Sequence, residues 1–171
     1  GNAANSGGGM YNHSSSPSLT NVSLTGNDAN NGGGMYNSSS SSTPNLTNVT
    51  LTGNAADSGG GMYNDQFSKP SLTNVTITEN SATDGGGIYN YYSSPSLTNV
   101  TVAGNTATQS GDGMYNNSSS PAINNTIVWG GLYKGWNGNY TANHSLIEGD
   151  NNTNNDNIDA TGLSETDIFT D

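Results

Sequence analysis

Apolar residues are sparse along this chain, and they return in register. Met or Ile stands at positions 10, 35, 62, 88 and 114, each followed by Tyr-Asn and preceded by glycines. The hexad GGGMYN or a near copy therefore occurs at Gly7–Asn12, Gly32–Asn37, Gly59–Asn64, Gly85–Asn90 and Gly111–Asn116, at steps of 25, 27, 26 and 26 residues. A period of that length marks one supersecondary unit stacked on itself. Each unit holds three short stretches rich in strand formers, of the type GGMYN, PSLTN and VTLT, set apart by Gly, Asn, Ser and Pro. Val, Ile, Thr and Tyr favour strands and the intervening residues mark corners. No segment keeps a 3.6-residue apolar period over helical length.

Three strands per coil and about 26 residues per coil predict an all-β, single-stranded parallel β-helix. Alternation assigns the faces. Met10, Leu19, Val22 and Leu24 point inward, and their counterparts form columns such as Met35, Met62, Ile88 and Met114. Five coils are expected at 1–25, 26–52, 53–78, 79–103 and 104–129, together spanning 1–129, with an irregular final coil and C-terminal cap over 130–171. Ile158, Leu163, Ile168 and Phe169 are the apolar residues expected to plug that end. A polar column, Asn21, Asn48, Asn74, Asn99 and Asn125, is expected at the corner between the second and third strands as an inner Asn ladder. Asn12, Asn37, Asn64, Asn90 and Asn116 close the first strand and are candidates for a second ladder.

Composition qualifies this picture. Only 29% of the 171 residues are hydrophobic and the net charge is −11, a pairing that ordinarily signals disorder. Register overrules that reading, because a stack needs only a thin interior stripe from each unit. Arg is absent and Lys occurs only at Lys69 and Lys134, so a nucleic acid would meet almost no counter-charge. Cysteine is absent, which excludes disulfides and thiolate metal sites. No apolar run is long enough for a transmembrane helix, so membrane insertion is not expected of this segment. Gly1 opens directly in a repeat without an initiator Met, as expected of a processed or excised piece of a longer protein.

The repeated GGG[MI]YN…SPSLTNVT pattern resembles the right-handed parallel β-helix repeats of bacterial surface proteins, above all the polymorphic outer-membrane-protein type with its Gly-Gly-Ala-Ile-like motif. Gly8-Gly9-Met10 and its copies carry that likeness; Leu19-Thr20-Asn21 takes the place of the companion Phe-x-x-Asn motif. Ser145–Gly149, Asn157–Ala160 and Asp167–Asp171 are similar to the final coil of such proteins. The resemblance implies a right-handed coil, export to the cell surface or extracellular space, and a role in display, adhesion or scaffolding.

Candidate chemistry lies on the outward surfaces. Tyr11, Tyr36, Tyr63, Tyr89 and Tyr115 follow the inward Met or Ile and form an outward tyrosine ladder, either a self-stack or a glycan platform. The loop after each Tyr-Asn is Ser-rich in most coils, but Phe67, Tyr91 and Tyr92 are expected to meet there, with Lys69, as a second glycan-binding candidate. Outward Thr25, Thr50, Thr52, Thr76, Thr78 and Thr101 form Thr-x-Thr rows that resemble those of ice-binding β-solenoids. Sequons at Asn12, Asn37, Asn45, Asn116, Asn139, Asn143 and Asn151 are open to glycosylation, whereas Asn21, Asn48, Asn74 and Asn99 lie in the expected inner ladder. His13 and His144 stand at opposite ends, and Asp57 and Asp84 are the carboxylates in adjacent coils with the spacing for glycoside hydrolysis. No catalytic constellation, no cofactor and no metal site is expected; Asp150, Asp156 and Asp159 are the calcium alternative. The expectation is a non-enzymatic structural or adhesive solenoid, extracellular or on the outer cell surface. Its expected partners are other copies stacked head-to-tail or laterally, a polysaccharide, or a host or neighbour cell surface.

Overall fold

The computed structural model describes residues 1–149, 156–158 and 163. The chain is an all-β parallel solenoid, and each of its first five turns carries four strands where three were expected. The first sheet collects Ala3–Ser6, Asp28–Asn31, Ala55–Ser58, Ser81–Asp84 and Thr106–Ser110. The second collects Met10–His13, Met35–Ser38, Met62–Asp65, Ile88–Tyr91, Met114–Asn117 and Leu132–Lys134. The third runs through Ser18–Thr20, Asn45–Thr47, Ser71–Thr73, Ser96–Thr98, Ala122–Asn124 and Thr141–Asn143. The fourth runs through Ser23–Thr25, Thr50–Thr52, Thr76–Thr78, Thr101–Ala103, Ile127–Val128 and Leu146–Ile147. The strand missing from the three-strand expectation is the one of the first sheet. Its inward residue is only an alanine, as at Ala29 and Ala82, so the stretch shows no large apolar side chain.

Pairing puts like over like. Met62 lies between Met35 and Ile88, Leu72 between Leu46 and Leu97, and Ile77 between Leu51 and Val102. These side chains are fully buried and, with the Val49, Val75 and Val100 column, make one continuous core. Each contributes about 1.5–3 kcal/mol by leaving water.

Every corner uses a residue in the left-handed region. Asn21, Asn48, Asn74, Asn99 and Asn125 take φ of 49 to 55° between the third and fourth sheets. Gly26, Gly53, Glu79 and Gly104 do so between the fourth and first. The glycine triplet serves the corner between the first and second sheets. Its first member has positive φ, as at Gly59, and its second packs against the next coil. A Cβ at Gly60 would lie 2.5 Å from the Ser81 carbonyl oxygen and 2.6 Å from that of Gly86. Parallel hydrogen bonding continues unbroken through this stretch, for example from Gly60 N–H to Gly85 O at 3.2 Å and from Gly61 N–H to Gly86 O at 3.1 Å.

Three asparagine ladders run along the rod. The ladder through Asn21, Asn48, Asn74, Asn99 and Asn125 forms, with Nδ2 of each donating to Oδ1 of the preceding rung at 2.5 to 3.2 Å. It is exposed, however, and not interior, because the left-handed corner turns the carboxamide outward. The interior ladder is that of Asn12, Asn37, Asn64, Asn90 and Asn116, whose carboxamides bond in one direction at 2.8 to 2.9 Å. A third ladder, also buried, joins Asn27, Asn54, Asn80 and Asn105, each Oδ1 receiving both the Nδ2 and the backbone N–H of the rung before it. Among the described residues no buried side-chain polar atom lacks a partner.

The final coil adds Leu132–Lys134, Thr141–Asn143 and Leu146–Ile147 to the second, third and fourth sheets. Trp129 packs on Ala103 and Leu146, outside the main core. The expected apolar plug is not seen where it is described: Ile158 bridges to Leu146 yet is 57% exposed, and Leu163 is 38% exposed. Ile168 and Phe169 lie outside the described residues.

Candidate functional site

Tyr follows an inward Met or Ile on each strand of the second sheet, so alternation turns it outward. Parallel register then places ring over ring. Tyr11, Tyr36, Tyr63, Tyr89 and Tyr115 stack with centroids 5.2, 5.2, 5.0 and 4.7 Å apart and planes within 24° of parallel. Tyr133 continues the stack at 5.0 Å beyond Tyr115. The sequence signal for this sixth rung is Gly131-Leu132-Tyr133, which matches Gly-Met-Tyr of the earlier coils. The inner rungs spend their faces on one another and are half-buried, so they offer edges and hydroxyls to solvent; Tyr11 is 53% exposed.

Burial governs the chemistry of these phenols. Desolvation, followed by the nearby Asp65 carboxylate, pushes Tyr36 up to about 12 and Tyr63 higher still. Desolvation and then Tyr115 push Tyr89 up to about 12. Tyr115 is raised by desolvation and then by Asp84, whose own carboxyl is raised by desolvation. The Tyr36 hydroxyl donates to Asp65 Oδ2 at 3.0 Å, and Asp65 Oδ1 accepts the Gln66 N–H at 2.6 Å. Asp65 thereby links the tyrosine stack to the loop beyond it.

That loop brings together the aromatics expected there. Phe67 and Tyr92, in adjacent coils, lie with centroids 5.9 Å apart and planes tilted by 50°. Tyr91 meets Tyr92 edge-on at 4.6 Å. Phe67 N–H donates to Tyr92 O at 2.9 Å, which fixes one ring against the other. Lys69 follows two residues after Phe67; the cation over an aromatic ring is Lys134, 4.9 Å from the Tyr140 centroid. Trp136, 70% exposed, is an outward aromatic that the repeat pattern did not single out.

The Thr-x-Thr rows occupy the outer face of the fourth sheet. Thr25, Thr52 and Thr78 pair in one file, and Thr50, Thr76 and Thr101 in the other. The first file ends at Ala103 and the second at Ile127, where the Trp129 cluster begins. A further hydroxyl file, Thr20, Thr47, Thr73 and Thr98, runs on the third sheet across the exposed asparagine corner.

Other expectations are placed differently. Asp84 pairs with Ser58 of the adjacent coil, so Asp57 stands one residue out of register with it, and the strand of Asp84 carries a bulge between Ala82 and Asp84. His13 lies against Tyr11 at 6.4 Å, whereas His144 pairs with Asp156 at 3.2 Å in the last coil. Asp150 and Asp159 of the calcium alternative lie outside the described residues. The sequon assignments change in part: Asn12, Asn37 and Asn116 are buried in the interior ladder and Asn21, Asn48, Asn74 and Asn99 are exposed, whereas Asn45 and Asn139 are exposed as expected and Asn151 lies outside the described residues.

No family model matches the chain. No curated protein and no solved structure matches it either. Its class, the parallel β-solenoid, rests on register and burial alone.

Proposed function

We propose that this chain is a stiff, non-enzymatic segment of an exported bacterial surface protein, with a structural and adhesive role. The observation that carries the reading is the like-on-like register from the first coil to the last. Interior Asn, Met and Leu are committed to axial contacts, which leaves the outer loops as the variable part of a fixed lattice. Such loops on a rigid scaffold are where recognition concentrates. The likeness of Gly8-Gly9-Met10 and its copies to bacterial surface repeats supplies the bacterial and extracellular part of the reading. An antibody against the folded solenoid, applied to intact cells that make the protein, tests it. Labelling without permeabilisation is expected; labelling only after lysis overturns it.

Axial association belongs to the same reading. Within residues 1–171 the strands of the first coil pair only with those of the second, and a parallel strand edge of this kind takes a further coil. Electron microscopy and sedimentation of residues 1–171 test a second copy as that coil. Filaments that lengthen with concentration are expected, and monomers at every concentration would overturn self-assembly.

Ice binding is a second reading, favoured by the register of the threonine files on the fourth sheet. It predicts thermal hysteresis that Thr50→Tyr abolishes. Hysteresis no greater than that of an unrelated acidic protein removes it.

A further inference from the structure

In three coils the residue that turns the chain between the second and third sheets is serine: Ser14, Ser39 and Ser118, each with positive φ. In the two coils between, the same turn is made by Gln66 and Phe67, with φ of 52 and 63°, and by Tyr92, with φ of 49°. A side chain in the left-handed region costs roughly 1–2 kcal/mol, and a bulky aromatic is a rarer occupant of it than a small polar residue. Local strain of this kind concentrates at functional sites. Here it has a visible product. Phe67 is 61% exposed, and its ring lies tilted against Tyr92 of the next coil, which meets Tyr91 edge-on. Unlike the tyrosine stack, this cluster does not close ring face on ring face.

We propose that Phe67, Tyr91 and Tyr92 form a saccharide-binding site that takes the apolar face of a neutral, glucose-type pyranose ring. Such a ring, with equatorial hydroxyls, presents axial C–H groups on its faces and polar groups around its rim. Tilted aromatic rings suit the faces. The rim meets the Gln66 carboxamide and the Asp65 carboxylate, which already share a hydrogen bond at 3.5 Å. The chain's net charge of −11 disfavours a uronate polymer, for which Lys69 is the single cation in the loop. A protein partner would need a wider apolar patch than three rings set among serines. The site names the partner class for the adhesive role and rests on that reading.

The test is calorimetry of the full chain with cellohexaose and chitohexaose, with polygalacturonate as the acidic control. Binding of a neutral hexamer is expected, with roughly tenfold or greater weakening for Tyr92→Ser and for Phe67→Ser combined with Tyr92→Ser. Tyr92→Ser restores the residue that the neighbouring coil carries at Ser118, so the fold is retained and an unchanged thermal midpoint verifies it. Trp136→Ser is expected to bind as the parent does. The proposal is overturned if the parent binds neither neutral hexamer, or if Tyr92→Ser binds both as tightly as the parent. Binding confined to polygalacturonate and lost in Lys69→Gln also overturns it. Because this assay uses isolated protein, its outcome is independent of antibody labelling on cells, and either result can fail alone.

Discussion

Replacing Asn64 by alanine strikes the interior ladder at its middle rung. Asn64 is fully buried; its Oδ1 accepts Asn37 Nδ2 at 2.9 Å, and its Nδ2 donates to Asn90 Oδ1 at 2.8 Å. Alanine removes both bonds at once. It orphans a donor on Asn37 and an acceptor on Asn90, each about 0% exposed and without water to turn to. An unsatisfied buried polar group costs about 1–3 kcal/mol, so the pair sums to about 2–6 kcal/mol. For a chain of this size each kcal/mol lowers the thermal midpoint by about 2–4 °C, which predicts a drop on the order of 5–20 °C. Asn74 is the matched control. It makes the same two ladder bonds, at 3.2 and 3.1 Å, but in the exposed ladder, where water replaces them. Asn74→Gly keeps the left-handed corner and is expected to cost less than about 1 kcal/mol. Urea unfolding followed by circular dichroism compares the two at fixed protein concentration. Equal losses, or a larger loss for Asn74→Gly, would refute the assignment of inner and outer ladders.

Other outcomes follow from the same geometry. Gly60→Ala sets a Cβ against two backbone carbonyls and is expected to destabilise by about 3 kcal/mol or more. Gly53→Ala meets nothing within 4 Å and bears only the strain of φ +63°, about 1 kcal/mol; urea midpoints rank the two, and the reverse order contradicts the packing. Met62→Ala opens a cavity in the fully buried Met/Ile column, with an expected loss of about 2–5 kcal/mol in the same assay. The tyrosine stack predicts alkaline sensitivity. Tyr36 and Tyr89 hold their protons to about 12 in the fold, while an unfolded phenol releases its proton near 10. The folded state therefore binds more protons between those values, and their contribution to stability is present below pH 10 and lost as pH rises toward 12. Urea midpoints falling over that window, less steeply in Tyr36→Phe, are expected; a flat profile refutes the burial of the stack.

Much of the fold is legible in the residues because few positions carry it. Met35, Leu46, Val49 and Leu51 are the large apolar residues of their coil, so alternation sends them inward without ambiguity. The strand Asp28–Asn31 escapes notice for the opposite reason: its inward residue is Ala29, too small to mark a face. The second ladder, at Asn12 and its copies, forms as expected, whereas the ladder at Asn21 and its copies is read as interior at the sequence level through one slip of period. Asn12 stands two residues after inward Met10, which already places it inside. Inward Leu19 and Val22 are three residues apart, so alternation breaks between them, and the residue that absorbs the break is Asn21 at φ 55°. The tyrosine column is readable, but its function as a platform is not. Whether rings present faces or hide them depends on the parallel register, which sets Tyr63 5.0 Å from Tyr89. The aromatic loop is visible as a departure from serine, whereas the left-handed turns that tilt Phe67 against Tyr92 emerge only from coordinates.

The central claim is that buried asparagine ladders, stacked beside a thin column of Met, Leu, Ile and Val, complete the interior of a four-stranded coil. Hydrogen exchange of the asparagine side-chain amides, resolved by nuclear magnetic resonance, tests it most directly. The Nδ2 protons of Asn37, Asn64 and Asn90 are predicted to exchange far more slowly than those of Asn48, Asn74 and Asn99. Equally fast exchange in both sets, or protection of the Asn48, Asn74 and Asn99 set instead, would contradict the account.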